Sequence, residues 1–329
     1  MQNTATTWVQ SPFQPPRWLQ NPHLQTLLPR LLLPSRPVPG EWTLFPTADG
    51  DQVELFWHRP HPESQPLIVI FHGLEGSVDS PYVWQLMEAA AAQGWNSVVM
   101  HFRGCGRFPN KLPRAYHSGD TADARHLLQH LAQSYPTLAT VGFSLGGNML
   151  SKLLGEGNVP GVRAAASIAA PIDLAACAGR LDQGFSKLYR HYLLGSLRRK
   201  FKQKQAQRCF AAGHSLAALN IDDLRTFYQF DDAVTAPLHG FAGVDDYYRR
   251  ASARPHLAKV EVPLLQLHAQ DDPFMTAGVI PEAHELSPYV TYEISEFGGH
   301  MGFITYRNRR FEYYLPARIV QFLAAHLTH

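Results

Sequence analysis

Short, uninterrupted runs of apolar residues recur along the chain, separated by stretches with a helical pattern. The clearest runs cover residues 66–71, 97–102, 138–143 and 164–169. A run that is apolar at every position predicts a strand covered on both faces, as in a parallel sheet with helices on either side. The alternation therefore predicts an α/β fold with a mostly parallel central sheet flanked by helices.

The remaining elements follow from the same patterns and from residues that end helices, such as Gly94. They are helices over 82–93, 120–134 and 146–154, a strand over 263–268, a helix near 277–286, a strand over 290–294 and a closing helix over 315–327.

The first part of the chain has a different pattern. Residues 1–40 are rich in proline and have no sustained period, which indicates an arm laid over the domain. The turn signal Ala48-Asp49-Gly50-Asp51 lies between the short segments 42–45 and 53–59 and predicts a β-hairpin. We therefore expect antiparallel strands at the start of the core.

The alternation of strand and helix breaks after residue 171. Residues 172–254 are mostly helical in pattern and predict a cap inserted after the sixth strand, between core segments 41–171 and 255–329. The apolar residues of this cap recur at roughly helical spacing, at Leu188, Tyr192, Leu197 and Phe201.

The cap also carries a cluster of basic residues. A basic helix with some apolar positions predicts either peripheral contact with a membrane surface or, more simply, a solvated face whose apolar side packs on the domain. The cluster consists of Lys187, Arg190, Arg198, Arg199, Lys200, Lys202, Lys204 and Arg208.

Composition excludes several classes of protein. The chain has 329 residues, 45% of them hydrophobic, and a net charge of +2, which provides no overall field to attract nucleic acid. No stretch approaches the roughly 18 apolar residues of a spanning helix, and no secretory signal pattern is present. We expect a cytoplasmic protein with no nucleic-acid partner and no transmembrane segment, and its oligomeric state stays open.

The cysteines give no sign of a disulfide framework. Cys105, Cys177 and Cys209 are widely spaced and odd in number, and no CxxC pair occurs. We therefore expect a reducing compartment and no structural zinc. The serine chemistry predicted below requires neither a metal ion nor an organic cofactor.

The chemistry is concentrated at the ends of the predicted strands. Gly142-Phe143-Ser144-Leu145-Gly146 is a GxSxG motif that lies directly between a short buried strand and a helix. Such a turn strains the backbone of the serine and raises its hydroxyl into a cleft, and the glycines remove side chains that would collide. We therefore predict Ser144 as a nucleophile.

A serine hydroxyl needs a base and a third group that orients the base. His300 follows the last predicted strand in the loop Glu296-Phe-Gly-Gly-His300, which makes it the best candidate for the base. Two carboxyl groups, Asp271 and Asp272, follow the strand over 263–268, at the edge where parallel sheets place their sites. We favour Asp272, which precedes Pro273, and leave Asp271 as the alternative.

An oxyanion needs backbone N–H donors beside the serine. The helix that begins at Leu145 directs its N-terminal amides towards Ser144, and the loop His72-Gly73-Leu74 follows the first predicted parallel strand. We predict the N–H groups of Leu74 and Leu145 as the two donors.

Motifs along nearly the whole chain resemble those of the α/β-hydrolase 4 family, which includes YheT-type bacterial hydrolases, plant embryogenesis-associated proteins and animal ABHD proteins. They are Trp18, Asn21-Pro22-His23 with Gln25-Thr26, His72-Gly-Leu-Glu-Gly76, Phe102-Arg-Gly-Cys-Gly106, Tyr116-His-Ser-Gly-Asp120, Gly142-Phe-Ser-Leu-Gly-Gly-Asn148, Phe241 with Tyr247-Tyr248 and Ser252, Asp271-Asp-Pro273 and Gly298-Gly-His300-Met-Gly-Phe303.

The resemblance implies hydrolysis of carboxylic esters, from short-chain acyl esters to lipids, through an acyl-enzyme on Ser144 with Asp272 and His300 in the triad. It implies no catalytic step for Arg103 or Asp120, and we expect these two to form an ion pair that braces the loops beside the site.

Two other functions remain open. An acyltransferase would share the acyl-enzyme and differ only in the acceptor, and a binding protein would use the same pocket without chemistry. The main prediction is a serine hydrolase acting on a small-molecule ester.

Overall fold

A central sheet of nine strands organises the computed structural model, which describes residues 8–32, 38–211 and 213–327. The order of the strands across the sheet is β1-β9-β8-β7-β6-β4-β5-β3-β2. The strands are β1 (Trp8–Gln10), β2 (Glu41–Pro46), β3 (Gln52–His58), β4 (Leu67–Phe71), β5 (Asn96–Met100), β6 (Leu138–Phe143), β7 (Val162–Ile168), β8 (Leu264–Ala269) and β9 (Val290–Ser295).

In this spatial order, the first seven strands, from β1 across to β5, pair in parallel. At the other edge, β3 pairs antiparallel with β5 and β2 pairs antiparallel with β3. The central strands β4, β5 and β6 are buried at every residue, as uninterrupted apolar runs require. The hairpin of β2 and β3 supplies the antiparallel edge. The predicted mostly parallel sheet and the predicted hairpin are therefore confirmed.

Helices cover the sheet, with α2 and α10 packed against each other and α4 packed against β6 and β7. A small hairpin of β10 (Ile304–Arg307) and β11 (Arg310–Tyr313) precedes the last helix. The helices are α1 (Pro22–Leu32), α2 (Pro81–Ala92), α3 (Ala122–Leu131), α4 (Leu145–Gly155), α5 (Leu174–Leu181), α6 (Ser186–Ala206), α7 (Phe227–Phe230), α8 (Ala236–Leu238), α9 (Val244–Ala251) and α10 (Tyr314–Leu327).

One predicted helix is wrong. The segment predicted as a helix near 277–286 forms two separate single turns, Ala277–Val279 and Ala283–Glu285. Pro281 lies between them and has no backbone N–H to donate, so a continuous helix cannot pass through this position.

The first 40 residues contain more regular structure than their sequence predicts. Residues 8–10 form β1, which pairs in parallel with β9 at the edge of the sheet, and α1 follows. In chain order, the first parallel strand is therefore β1 rather than β4. Because β1 adds one strand, seven strands precede the helical insertion, whereas the sequence predicted six. Residues 1–7 and 33–37 of the predicted arm lie outside the described residues.

The segment between β7 and β8 holds α5 to α9, and the side chains of these helices share an apolar cluster that includes Leu194, Phe201 and Tyr247. The predicted apolar positions of α6 are correct only in part. Phe201 is buried, whereas Leu188 and Tyr192 are about 60% exposed. Tyr189 and Leu194 are buried in their place, because the helix turns a neighbouring stripe towards the cluster.

The basic residues of this segment do not form one solvated face. Lys202 forms an ion pair with Asp222, and Arg190 forms one with Asp182. Lys204 donates to Asn110 Oδ1 and to the carbonyl of Leu112, both in a loop of the core. These contacts use several of the basic residues to attach α6 to its surroundings, and peripheral membrane contact stays a prediction.

Candidate active site

Ser144 occupies the sharp turn between β6 and α4. Its backbone has φ of 49° and ψ of −117°, a strained conformation for a residue with a side chain. A Cβ at Gly142 would lie 2.4 Å from the carbonyl oxygen of Gly146, and one at Gly146 would lie 2.5 Å from that of Phe71. The motif glycines are therefore needed because strand, turn and helix approach one another closely.

The side chains of Ser144, His300 and Asp272 form a continuous hydrogen-bonded chain. His300 Nε2 lies 2.9 Å from Ser144 Oγ, and His300 Nδ1 lies 2.8 Å from Asp272 Oδ2. Since an ionised carboxylate only accepts, Nδ1 carries the proton and Nε2 is free to accept from the serine hydroxyl. All three side chains are at least nine-tenths buried. This arrangement can move a proton from the serine to the histidine.

Asp272 is held by the loop in which it lies. Its second oxygen, Oδ1, accepts from the backbone N–H of Phe274 at 2.8 Å. The Phe274 ring stacks on the imidazole of His300, with centroids 3.9 Å apart and planes 5° apart. The loop after β8 therefore both orients the imidazole and covers one of its faces.

Asp271 has a different contact from its neighbour. Its Oδ1 accepts from the backbone N–H of Gly299 at 2.8 Å, and its buried Oδ2 has no partner among the described residues. Burial raises the pKa of Asp271 to about 6. The structure thus brings Asp272 onto His300 and places Asp271 on the backbone of the loop that carries His300.

The loop of His300 rests on α1. The backbone N–H of His300 donates to Thr26 Oγ1 at 2.9 Å. Gly299 has φ of +56°, and a Cβ there would lie 2.5 Å from the carbonyl oxygen of Pro22. The helix that sequence patterns missed is therefore a support of the site. The only signal for it was the motif from Asn21 to Thr26.

The two predicted oxyanion donors come from two segments that adjoin Ser144. Leu145 directly follows Ser144 and is the first residue of α4. Leu74 directly follows Gly73, where an added Cβ would lie 3.4 Å from Ser144 Cβ. Within the described chain, the N–H groups of Leu74 and Leu145 donate to no protein acceptor. They are free to bind an oxygen that develops negative charge.

His72 shapes the loop that carries Leu74 without meeting the serine. Its Nδ1 lies 2.7 Å from the carbonyl of Gly73, and its Nε2 accepts from the N–H of Phe102. Burial lowers the pKa of His72 to about 3, so the ring is neutral at physiological pH. A neutral ring with both nitrogens committed is a structural bridge between the two loops.

A cavity of about 590 Å³ opens onto Ser144 and His300. It is lined mainly by apolar side chains from the core loops, α1 and the helical segment, among them Leu27, Leu74, Leu174, Leu193, Phe227 and Met301. A cavity of this size and character fits a small molecule with an apolar portion.

Two buried polar groups near the site contact partners other than those predicted. The expected ion pair between Arg103 and Asp120 is wrong. Arg103 pairs with Asp123 at 2.7 Å and with Asp49 at 2.9 Å, whereas Asp120 pairs with Arg114 at 2.6 Å. Arg114 precedes Asp120 in the same loop, and Arg103 extends instead to the turn of the hairpin.

One group of side chains within the described residues could hold a metal ion. Ligand atoms of His117, Asp120 and His239 lie within 4.8 Å of one another. Asp120 is already paired with Arg114, and burial lowers the pKa of both histidines to about 3. This group is separate from the chain of Ser144, His300 and Asp272.

Comparison with known families agrees with the geometry. The family model described as "alpha/beta hydrolase fold" matches residues 66–305, which is most of the chain. The chain belongs to the α/β-hydrolase fold family. The predicted family and fold class are thereby confirmed, and the protein is a hydrolase.

Relatives of known name support the same placement within the α/β-hydrolases. The chain is 44% identical over 321 residues to the protein named "Putative esterase YheT" from Escherichia coli K12, covering 96% of this chain and 94% of that one. It is 27% identical over 330 residues to the human protein named "Phospholipase ABHD3", covering 94% and 80% respectively. The predicted resemblance to YheT and ABHD proteins is confirmed.

Solved structures share the fold at lower identity. The Pyrococcus furiosus esterase Pf2001 matches with a TM-score of 0.56 and 14% identity, over 88% of this chain and 94% of that chain. No helix in the described ranges is long and apolar enough to cross a bilayer.

Proposed function

We propose that the protein hydrolyses carboxylic esters through an acyl-enzyme formed on Ser144. The observation that carries this proposal is the chain of hydrogen bonds from Asp272 through His300 to Ser144, which ends in an apolar cavity. Relatives named as an esterase and as phospholipases support ester substrates.

In the first half of the reaction, His300 Nε2 takes the proton of Ser144 as Oγ attacks the ester carbonyl carbon. The carbonyl π bond breaks, and the oxyanion is bound by the N–H groups of Leu74 and Leu145. When the tetrahedral intermediate collapses, His300 gives its proton to the departing alkoxide, which leaves as the alcohol.

In the second half, a water molecule takes the place of the alcohol. His300 removes a proton from the water as its oxygen attacks the acyl carbon, and the same two N–H groups bind the second oxyanion. Collapse breaks the bond to Ser144 Oγ, which recovers the proton from His300. Asp272 holds the imidazole and stabilises its charged form throughout.

The cavity predicts the kind of ester. Because its walls are largely apolar, each methylene of an acyl chain that enters it contributes about 0.8 kcal/mol. We therefore expect p-nitrophenyl esters of medium-length chains to react with a higher kcat/KM than the acetate ester.

Fluorophosphonate labelling followed by peptide mass spectrometry tests the nucleophile directly. We expect the label on Ser144, and we expect both labelling and ester hydrolysis to be lost in Ser144→Ala. The control is Ser151→Ala, since Ser151 lies on α4 with its hydroxyl bound to the carbonyl of Gly147. A folded wild-type protein that neither labels nor hydrolyses any ester would refute the proposal and leave a binding role.

Acyl transfer is separated from hydrolysis by the acceptor. The same ester is incubated with and without added alcohol, and both the acid and the new ester are quantified. We expect the acid to dominate. Faster formation of the new ester than of the acid would assign the protein to the acyltransferases instead.

A further inference from the structure

Glu75 holds an unusual backbone conformation beside the proposed oxyanion donor Leu74. Its φ is 55°, and the turn is closed by a hydrogen bond of 2.9 Å from the N–H of Gly76 to the carbonyl of Gly73. A residue with a side chain pays about 1 to 2 kcal/mol to adopt this left-handed conformation. Contacts elsewhere must therefore hold the turn in place.

The contacts of Glu75 begin with Tyr116. The backbone N–H of Glu75 donates to Tyr116 Oη at 2.9 Å, and the same hydroxyl donates to Glu75 Oε1 at 2.7 Å. Backbone and side chain of Glu75 are thus held by one phenol. This pair of bonds fixes the orientation of the peptide that follows Leu74.

The carboxylate of Glu75 also reaches the helical segment. Lys200, on α6, places its Nζ 2.9 Å from Glu75 Oε1 and 3.0 Å from Cys105 Sγ. The Glu75 side chain is only 8% exposed, and Lys200 is the one cation that contacts it in the described parts of the chain. A carboxylate buried this deeply depends on its partner cation.

The charges of this group support the ion pair. Burial would lower the pKa of Lys200, but Cys105 and Glu75 outweigh it and the pKa is raised, so the ammonium stays charged. Burial raises the pKa of Cys105 to about 11, and its thiol stays neutral. The contact from Lys200 Nζ to Glu75 Oε1 is therefore the ion pair of this group.

We propose that Lys200 is a positioning residue for ester hydrolysis: through Glu75 it holds the turn that presents the N–H of Leu74 to the oxyanion. Residues outside the core thereby complete the oxyanion site. This inference rests on the proposed function, because it assigns a role within the same reaction.

Replacement of Lys200 by methionine removes the ion pair while keeping a long apolar side chain. The carboxylate of Glu75 is then buried without a cation, so its free energy is lower when the side chain turns towards water. That movement releases the strained turn. Lys204 still attaches α6 to the core loop through Asn110 and Leu112, so the helix keeps its place. The variant Lys200→Met therefore perturbs the turn and not the attachment of α6.

The test compares Lys200→Met with Lys202→Met. Lys202 lies on the same helix, and its ion pair with Asp222 is exposed on both sides at 52% and 59%. We expect kcat for a p-nitrophenyl ester to fall about tenfold in Lys200→Met, a fraction of the loss seen when an oxyanion donor is removed outright. We expect KM to change less than about twofold, because the ester in its ground state carries no oxyanion for the N–H groups of Leu74 and Leu145 to bind.

A second measurement reads the oxyanion directly. A trifluoromethyl ketone adds Ser144 Oγ to its carbonyl carbon and leaves an oxyanion in the hole, while the serine proton passes to His300. We expect its affinity for Lys200→Met to fall by about the same factor as kcat, with Lys202→Met unchanged and Lys200→Arg largely restored.

A third variant protects the test against misfolding. Glu75→Gln with Lys200→Met leaves no buried charge, so it folds even where the single variant does not. If the ion pair is the route, the loss of kcat in the double variant is no larger than that of Lys200→Met alone. A loss of kcat in the double variant equal to the product of the losses in Lys200→Met alone and in Glu75→Gln alone would overturn the proposal.

The remaining outcomes separate this inference from the proposed function. A kcat for Lys200→Met equal to that of Lys202→Met overturns the inference, as does a rise in KM with unchanged kcat. In either case fluorophosphonate labelling of Ser144 in the wild-type protein would leave the proposed function standing. Absence of labelling in the wild type would remove both.

Discussion

Asp271 and Asp272 are neighbours in sequence with different contacts. Asp272 faces His300 Nδ1, and Asp271 faces the N–H of Gly299. The composition of this segment could not separate them, because after the strand ends the direction of each side chain depends on the backbone of one turn. The sequence preference for Asp272 as the orienting acid agrees with the contacts, and its catalytic role stays a prediction.

Replacing each carboxyl by an amide distinguishes the two roles. In Asp272→Asn the amide no longer selects the imidazole tautomer with a free Nε2, and we expect kcat to fall by roughly 10³ to 10⁴. In Asp271→Asn the amide oxygen still accepts from Gly299, and we expect kcat within about tenfold of wild type. Ester hydrolysis measured side by side gives the answer, and similar losses in both variants would contradict the assignment.

A half-buried carboxyl in the wall of the cavity, that of Asp231, makes stability depend on pH. Asp231 accepts from Thr235 and Tyr248, yet burial is the larger effect and raises its pKa to about 6. A carboxyl whose pKa is higher in the folded protein than in the unfolded chain binds more protons when folded. The free energy of unfolding therefore falls as pH rises from the pKa of the unfolded chain towards 6.

We therefore expect Asp231→Asn to gain stability over wild type as pH rises from about 4 to 6, and the difference to level off above that. Urea unfolding at a series of pH values measures it. Asp245→Asn is the matched control, because Asp245 is an exposed carboxyl. A difference that shrinks as pH rises would show that burial of Asp231 is not the cause.

At the level of elements, the unit of β6, Ser144 and α4 combines a strained residue with very close packing. The helix begins directly after the serine, and the carbonyl oxygens of Phe71 and His72 lie against Gly146. Because backbone atoms cannot yield as a flexible side chain does, a methyl group at this position must displace the whole turn.

We expect Gly146→Ala to reduce kcat by more than about a hundredfold, since displacement of the turn moves Ser144 away from His300. Gly195 is the matched control, because it lies within α6 and a Cβ there meets nothing within 4 Å. Gly195→Ala should keep activity and gain up to about 1 kcal/mol of stability from the better helix former. Wild-type activity in Gly146→Ala would mean that the turn tolerates a side chain.

The elements that sequence patterns missed share a physical cause. The strand β1 has three residues, and α1 lies in a proline-rich segment with Pro29 inside it. Neither shows a sustained period, because both are stabilised by tertiary partners, β9 and the loop of His300. The helix wrongly expected near 277–286 shows the converse, in which an apolar pattern is interrupted by a proline.

At the scale of the whole molecule, Arg103 joins distant parts of the core. Its guanidinium, 1% exposed, pairs with Asp49 and Asp51 in the hairpin turn and with Asp123 on α3. These carboxylates come from segments far apart in sequence. Their neighbouring negative charges raise the pKa of Arg103 further above its usual range, against the effect of burial.

Removing this cation leaves Asp51 and Asp123 buried without their partner. We expect Arg103→Met to lower the free energy of unfolding by about 3 to 5 kcal/mol. Lys202→Met removes an exposed ion pair and should cost less than about 1 kcal/mol. Urea denaturation of the three proteins measures both values, and equal costs would mean that burial adds nothing to the Arg103 network.

The helical segment and α1 meet beside the mouth of the cavity. His23 Nδ1 lies 3.1 Å from Tyr189 Oη, and Arg30 donates to Tyr192 Oη at 3.0 Å. Leu27 and Arg30 on α1 and Tyr192 on α6 also line the cavity, so both α1 and the helical segment shape it. We predict that the acyl-chain preference depends on these residues as well as on the core.

The sequence by itself determined the class of fold and the turn that carries Ser144. Both depend on local order along the chain: uninterrupted apolar runs, helix-ending residues and glycines at set spacing. Only the tertiary structure decided which carboxyl meets His300, that α1 supports the histidine loop, and that Lys200 reaches Glu75. Those contacts join residues far apart in sequence, and their geometry follows from how whole elements pack, which local patterns do not encode.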